Sequence, residues 1–395
     1  MNVYMFPGQG SQAKGMGGEL FDEFPELVKK ADKILGYSIK ELCLEDPGKE
    51  LANTRFTQPA LYVVSALSFM KKMADGGDHA DFLMGHSLGE LNALQAAGAF
   101  SFESGLKIVK KRGELMSQAE GGGMAAVLNA SKEQIESILK VNGFDGVDLA
   151  NFNTPTQIVV SGKKDDMAKI QPLFEKDNML FYPLNTSGAF HSRYMQDIKG
   201  KFENYLRKFK FKPLQIPVIA NVTAEPYSDD EVIENLASQL TGSVRWTDGV
   251  GLLLSKGDVT FTELGHGDVL TKMVASIQRH VEKSSQSDEA QSSVPKQTAS
   301  PNPKPQAENK EDQQATKSKP KTQTNLHADM SGKNADEKVA LWNERFPVGT
   351  KVKSSFTSYD DLETSSEATV LFGHRAAVYM KGYKGYFDID ELEVI

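Results

Sequence analysis

Residues 82–100, FLMGHSLGELNALQAAGAF, carry an apolar run straight into Gly85-His86-Ser87-Leu88-Gly89 and then straight into a helical pattern. Glycines two before and two after a serine allow a turn tight enough to strain the serine backbone and push its hydroxyl out above a sheet edge. Such a nucleophile elbow requires a strand before it and a helix after it. ADFLM reads as a buried strand, and Leu91, Leu94 and Ala97 fall at helical spacing, so both flanks are present.

Outward from the elbow, the first 283 residues alternate strand-like runs with helices. NVYMF is a strand, and GGELFDEFPELVKKADKIL, QPALYVVSALSFMKKMAD and FESGLKIVKKRGELMSQAE are helices, an alternation that predicts an α/β fold with a parallel sheet. Between Gly123 and Asn185 the order becomes β-α-β-β-α-β: MAAVLN, SKEQIESILKV, VDLANF, QIVVSG, KDDMAKIQPLFEK and MLFYPL. That order predicts an inserted ferredoxin-like subdomain. The core is therefore expected over 1–123 and 190–283, with the insert over 124–189.

After VLTKMVASIQRHVEK the composition breaks. From Ser284 to Asn325 the one aliphatic side chain larger than alanine is Val294, so nothing there offsets the entropy of ordering. Residues 284–337 read as a solvated linker; its lysines are interspersed with Asp288, Glu289, Glu308, Glu311 and Asp312, which argues against a phosphate-binding tail. Residues 338–395 read as a small β-rich module, with a helix at ADEKVALWNERF and short strands at GTKVKSSF, EATVLF, AAVYM and GYFDI.

Composition excludes several classes. A net charge of −8 over 395 residues argues against a nucleic-acid binder or a protein of anionic membrane surfaces. Cys43 is the single cysteine, so neither an internal disulfide nor a cysteine metal cluster can form. MNVYMFPGQG reaches a Pro-Gly turn without the basic and apolar segments of a leader, and no run of about 18 apolar residues occurs. A soluble, cytoplasmic protein is expected.

A serine hydroxyl is a weak nucleophile until a base takes its proton. Of the seven histidines, His86 lies beside Ser87 on the elbow, where neighbouring side chains diverge. His79, His280, His327 and His374 fall in a turn, a helix end, the linker and the terminal module. His191, in NTSGAFHSRYMQDIKGKF, and His266, in TELGHGDVL, both sit at loop-to-helix junctions of the kind that can lie at the same sheet rim as the elbow. Spacing favours His191 slightly and leaves both open. An oxyanion needs two donors: the N–H of Leu88, after the nucleophile, and one from a second loop. MFPGQGSQ is suited to supply the latter, because Gly8 and Gly10 let the backbone around Gln9 approach a substrate closely.

FPGQGSQ, TRFTQPALY, GHSLGE, KKRGELM, ANFNTPTQIVVSG, GAFHS and VRW follow one another in this order across residues 5–280, and together they resemble the malonyl-CoA:acyl-carrier-protein transacylases. The resemblance implies a hydrolase-like α/β core with a ferredoxin-like insert, and a Ser87–His191 dyad whose imidazole is oriented by a backbone carbonyl near Arg245. It implies oxyanion donors at Gln9 and Leu88, substrate contacts at Gln58, Asn153, Phe190 and His86, and Arg112 as the clamp for the malonyl carboxylate. A planar guanidinium meets both carboxylate oxygens at once, which lysine cannot do. It also implies malonyl-CoA and an acyl carrier protein as partners, with no metal or redox cofactor.

Three departures stand out. His266 and Asp268 occupy ELGHGDVL where Gly-Pro-Gly and a basic residue are common, Gly188 stands where a second histidine is frequent, and the linker and terminal module lie outside the housekeeping pattern. The last feature resembles free-standing acyltransferases of polyketide synthases and implies docking to synthase modules through the terminal module. Two alternatives stand beside the loading function: an acyl hydrolase that clears stalled carrier proteins, and a non-catalytic docking subunit.

Overall fold

The computed structural model describes residues 1–176, 178–292, 330, 333–354, 362–371, 375–381 and 386–394. They form two compact units, Met1–His280 and Val281–Ile395. Most of the expected linker lies outside the described residues, as do His327 and His374.

The first unit is built on a four-stranded parallel sheet of β1 (Asn2–Phe6), β2 (Phe82–Gly85), β7 (Val218–Ile219) and β8 (Thr260–Glu263), in the order β7-β2-β1-β8. Val3 to Phe6 are all buried, the continuous apolar run of a strand covered on both faces. On one side Val3, Met5, Met84 and Ile219 pack with Trp246, Val250, Leu270 and Val274. The pairing Phe6↔Gly85 brings the ends of β1 and β2 level, so the loops that follow them emerge side by side. That places the Gln9 loop next to the elbow.

The insert forms an antiparallel sheet of β3 (Gly122–Leu128), β4 (Asp148–Thr154), β5 (Gln157–Lys163) and β6 (Leu180–Pro183), in the order β4-β5-β3-β6. With helices Lys132–Val141 and Lys164–Ile170 this is the ferredoxin-like arrangement. Its core gathers Val127, Ile135, Ile158, Val160, Ile170 and Phe174.

Two expected helices are interrupted, each at a proline. The first splits into Leu20–Glu23 and Pro25–Leu35: Pro25 disfavours the helical region for Phe24, which sits at φ −123°, ψ 53°. In the insert, Lys164–Ile170 tightens into a 3₁₀ turn over Gln171–Leu173, at Pro172. The last helix of the region spans Val269–Ser292 and so continues past Ser284, where the linker was expected to begin.

In the second unit, helix Ala335–Arg345 opens on a capping box in which Asn334 and Glu337 exchange side-chain-to-backbone hydrogen bonds. Strands at Lys351–Ser354, Leu362–Glu363, Thr369–Leu371, Arg375–Tyr379, Tyr386–Asp388 and Leu392–Val394 make two small antiparallel sheets. Trp342, Val352, Leu362, Val378, Ile389 and Leu392 form their own core. Among the described residues no helix is long and apolar enough to cross a membrane.

Candidate active site

Ser87 follows β2 at φ 52°, a left-handed conformation that costs a residue with a β-carbon roughly 1–3 kcal/mol and persists only where its surroundings over-determine it. Here they do. A β-carbon at Gly85 would overlap the Gly89 backbone, and one at Gly89 would overlap the Phe6 carbonyl of β1. Asn221 braces both ends of the turn: the Ser87 N–H donates to its Oδ1 at 2.8 Å, and its Nδ2 donates to the Gly85 carbonyl at 2.7 Å.

His191, at φ 56° and 5% exposed, places Nε2 2.8 Å from the Ser87 hydroxyl oxygen. Its Nδ1 lies 2.7 Å from the Gln239 carbonyl. Because a carbonyl only accepts, the proton belongs on Nδ1, which leaves Nε2 as acceptor for the Ser87 hydroxyl. Burial, with the Arg112 cation beside it, lowers the imidazole to about 3, so the neutral form is favoured.

The orienting carbonyl is thus that of Gln239, which corrects the expectation of one near Arg245. Gln239 caps helix Val232–Ser238, and carbonyls at a helix C-terminus lack intrahelical partners and are free to accept. Arg245 turns elsewhere, its guanidinium donating to Asp248 at 2.7 Å and to the Thr223 carbonyl at 2.9 Å.

Arg112 lies on the buried stripe of helix Phe102–Met116 with Ile108, Val109 and Leu115, and is 1% exposed. Its neighbours Lys110 and Lys111 are only partly buried, so the Lys-Lys-Arg run divides between surface and interior. The Nη2 atom donates to the Ser87 hydroxyl at 3.1 Å and to Gln239 Oε1 at 2.7 Å, while Nε has no partner among the described residues. Burial lowers the guanidinium to about 10, against the attraction of Glu90, so it is a cation at neutral pH.

The other expected residues join different partners. Gln9 Nε2 donates to Thr54 Oγ1 at 3.1 Å. No hydrogen bond within the described residues uses the backbone N–H of Gln9 or of Leu88. Gln58 is buried with Nε2 3.2 Å from Met116 Sδ, its Oε1 unpartnered among the described residues. His86 Nε2 lies 2.8 Å from Asn153 Oδ1 of the insert, and its ring is 5.7 Å from that of Trp246. Phe190 is buried beside His191. A β-carbon at Gly188 would crowd Ala119 and the Phe190 ring, so no larger residue fits there without movement. His266 is half-buried in the turn after β8, His79 and His280 are exposed, and the Ser87 hydroxyl meets His191 and Arg112.

Three polar residues of the site were missed from the sequence: Glu90, Asn221 and Gln239. Glu90 at least lies within GHSLGE, whereas Asn221 and Gln239 reach the elbow from distant segments at no characteristic spacing. A cavity of about 1160 Å³ opens beside His191, lined by Asp148, Phe152 and Arg193 among others.

The acyl transferase domain family matches residues 3–323. The polyketide biosynthesis malonyl CoA-acyl carrier protein transacylase PksC of Bacillus subtilis is 54% identical over 284 residues, which span 71% of this chain and 99% of PksC. The polyketide biosynthesis protein PksE of the same organism is 52% identical, and there the chain covers 37% of the relative's length. Among solved structures, the malonyl CoA-acyl carrier protein transacylase of Burkholderia pseudomallei is 52% identical and superposes with a TM-score of 0.70, over 71% of this chain and 98% of that one. Residues 324–395 lie beyond the family match. On this shared sequence and fold, the chain belongs to the acyl transferase domain family.

Proposed function

We propose that the protein is a malonyl-CoA:acyl-carrier-protein transacylase that works by a ping-pong route through a malonyl-Ser87 intermediate. His191 Nε2 takes the Ser87 proton as the hydroxyl oxygen attacks the thioester carbonyl. The tetrahedral oxyanion is received by the N–H groups of Gln9 and Leu88. Collapse breaks the C–S bond, and the proton on His191 passes to the departing CoA sulfur. In the second half the phosphopantetheine thiol gives its proton to His191, its sulfur attacks the seryl ester, and Ser87 leaves with that proton.

One observation carries the choice of malonyl: a buried guanidinium, otherwise expensive to keep, stands 3.1 Å from the nucleophile. A free carboxylate on the acyl group matches its fork. Gln58, Asn153, His86 and Phe190 shape the acyl pocket around it, and the cavity beside His191 admits the pantetheine arm. The second unit is read as a docking module for polyketide synthase partners, since it has a core of its own outside the matched domain.

The test is intact-mass measurement after mixing with malonyl-CoA, acetyl-CoA and longer acyl-CoAs, followed by a holo carrier protein. A malonyl adduct on Ser87 that passes to the carrier thiol is expected. Release to water faster than to the thiol would instead assign an acyl hydrolase.

A further inference from the structure

Glu90 is completely buried one turn past the nucleophile, yet the mechanism above does not use it. Its Oε1 accepts from the Asn221 N–H at 2.8 Å and from the Tyr227 hydroxyl at 2.7 Å. Its Oε2 accepts from Gln239 Nε2. The same Nε2 donates to the Ser87 carbonyl at 2.8 Å, and the Oε1 of that amide accepts from Arg112 at 2.7 Å.

We propose that Glu90 is a positioning residue that fixes the orientation of the Gln239 amide and thereby holds Arg112 over the acyl site. The argument is one of donor and acceptor types. Burial pushes the Glu90 carboxyl up to about 7, while the donors Asn221, Tyr227 and Gln239 and the Arg112 cation favour its charged form. That form accepts and cannot donate, so the amide atom facing Glu90 must be the NH₂. A guanidinium donates and cannot accept, so the atom facing Arg112 must be the amide oxygen. The amide therefore has one satisfied orientation: its NH₂ is shared by Glu90 and the Ser87 carbonyl, and its oxygen is used by Arg112. Glu90 also supplies the buried counter-charge that Arg112 lacks when no acyl carboxylate is bound.

Glu90→Gln breaks this logic while preserving shape. The new carboxamide oxygen is claimed by the two donors, Asn221 N–H and Tyr227 O–H, so the new NH₂ must face Gln239. Two NH₂ groups cannot satisfy each other, and turning the Gln239 amide over would set its oxygen against the Ser87 carbonyl and its NH₂ against Arg112; in either orientation the amide loses its full set of partners and its hold on Arg112. The His191 orientation survives, because it depends on the Gln239 main-chain oxygen, which a side-chain flip leaves in place.

The inference rests on reading Arg112 as the carboxylate clamp, so Arg112→Ala is measured in parallel. Acylation of the full chain by malonyl-CoA and by acetyl-CoA is followed by intact mass. E90Q is expected to slow malonyl loading about 10- to 100-fold and acetyl loading less than about 3-fold. In the charge-swapped E90Q/Q239E pair the carboxylate moves to position 239, where it accepts both from the carboxamide at position 90 and from Arg112, at the loss of the donor that Gln239 gives the Ser87 carbonyl. That pair is expected to recover at least a tenth of the malonyl preference. Equal loss of both substrates, or loss of neither, overturns the inference. If E90Q does not fold, the swapped pair decides alone: it must fold and prefer malonyl, and failure in either overturns the inference. If Arg112→Ala itself leaves the malonyl-to-acetyl ratio unchanged, the reading of the site fails; a ratio lowered by Arg112→Ala but not by E90Q sinks only the role given to Glu90.

Discussion

His191 Nδ1 lies 2.7 Å from the main-chain oxygen of Gln239, the residue that ends helix Val232–Ser238. The imidazole is oriented by a carbonyl at the negative end of a helix, where no formal charge is present. A carboxylate in that place would stabilise the imidazolium and raise its pKa. The carbonyl fixes the tautomer while allowing burial to keep the ring neutral.

Ser87→Ala should abolish the malonyl mass adduct, because the hydroxyl is the atom His191 addresses. His191→Ala should retain the fold and slow acylation by roughly 10²–10⁴-fold, the usual worth of a positioned general base. Greater damage from His266→Ala than from His191→Ala, in stopped-flow acylation, would move the base to the turn after β8.

Replacing Arg112 separates substrates. Losing a buried, charge-assisted partner costs about 2–5 kcal/mol, so Arg112→Ala should lower malonyl kcat/KM by about two to three orders of magnitude. Acetyl-CoA, with no carboxylate to pair, should be accepted as well as before or better. Arg112→Lys should restore little, since one point charge does not reproduce the fork. Competition between the two CoA esters gives the ratio directly.

The pH profile of acylation carries the lowered imidazole. His191 must be neutral to act as base, and its pKa is pushed down to about 3, first by burial and then by Arg112. Activity is therefore present above that value and lost only as pH falls well below the ordinary histidine range near 6.5. Acetyl-CoA is the substrate of choice, because it does not engage the Arg112 clamp. Arg112→Ala removes a repelling cation and should move the acid limb upward. An acid limb at 6.5 in the wild type, indifferent to Arg112→Ala, would point to an exposed base.

A chain ending at Ser292 should keep its acylation rate with malonyl-CoA and its transfer rate to a free carrier protein. The second unit closes its own core around Trp342, and the network around Ser87 is drawn from residues of the first unit. Conversely, Trp342→Ala should destabilise the second unit by about 3–5 kcal/mol and leave Ser87 acylation unchanged. Calorimetry on the full chain, paired with the acylation assay, checks both.

The α/β core and the ferredoxin-like insert were legible because their signals are local: apolar runs, helical spacing and element order. The tight elbow was legible for the same reason, its two glycines bracketing Ser87 in five residues. Helix interruptions at Pro25 and Pro172 were overlooked where amphipathic spacing continued across the proline. Spacing alone left His191 and His266 as rivals, since each follows a strand at a loop junction; only the fold brings one of them to Ser87. Gln239 and Asn221 were invisible for a different reason. Each acts through an amide or a main-chain carbonyl, groups that any asparagine or glutamine, or any residue at all, offers, and nothing in the primary sequence marks which one the chain will carry to the elbow.

The close Gly89–Phe6 approach at the elbow bears on how such a site diversifies. The two backbone segments proposed to cradle a developing oxyanion, after β1 and after β2, are set against each other by main chain meeting main chain, with no side chain between them. Their separation is consequently indifferent to which residues line the acyl pocket. Residues proposed to line the acyl pocket, such as Gln58 and Phe190, can therefore change for acyl groups of other bulk without moving those two main-chain segments.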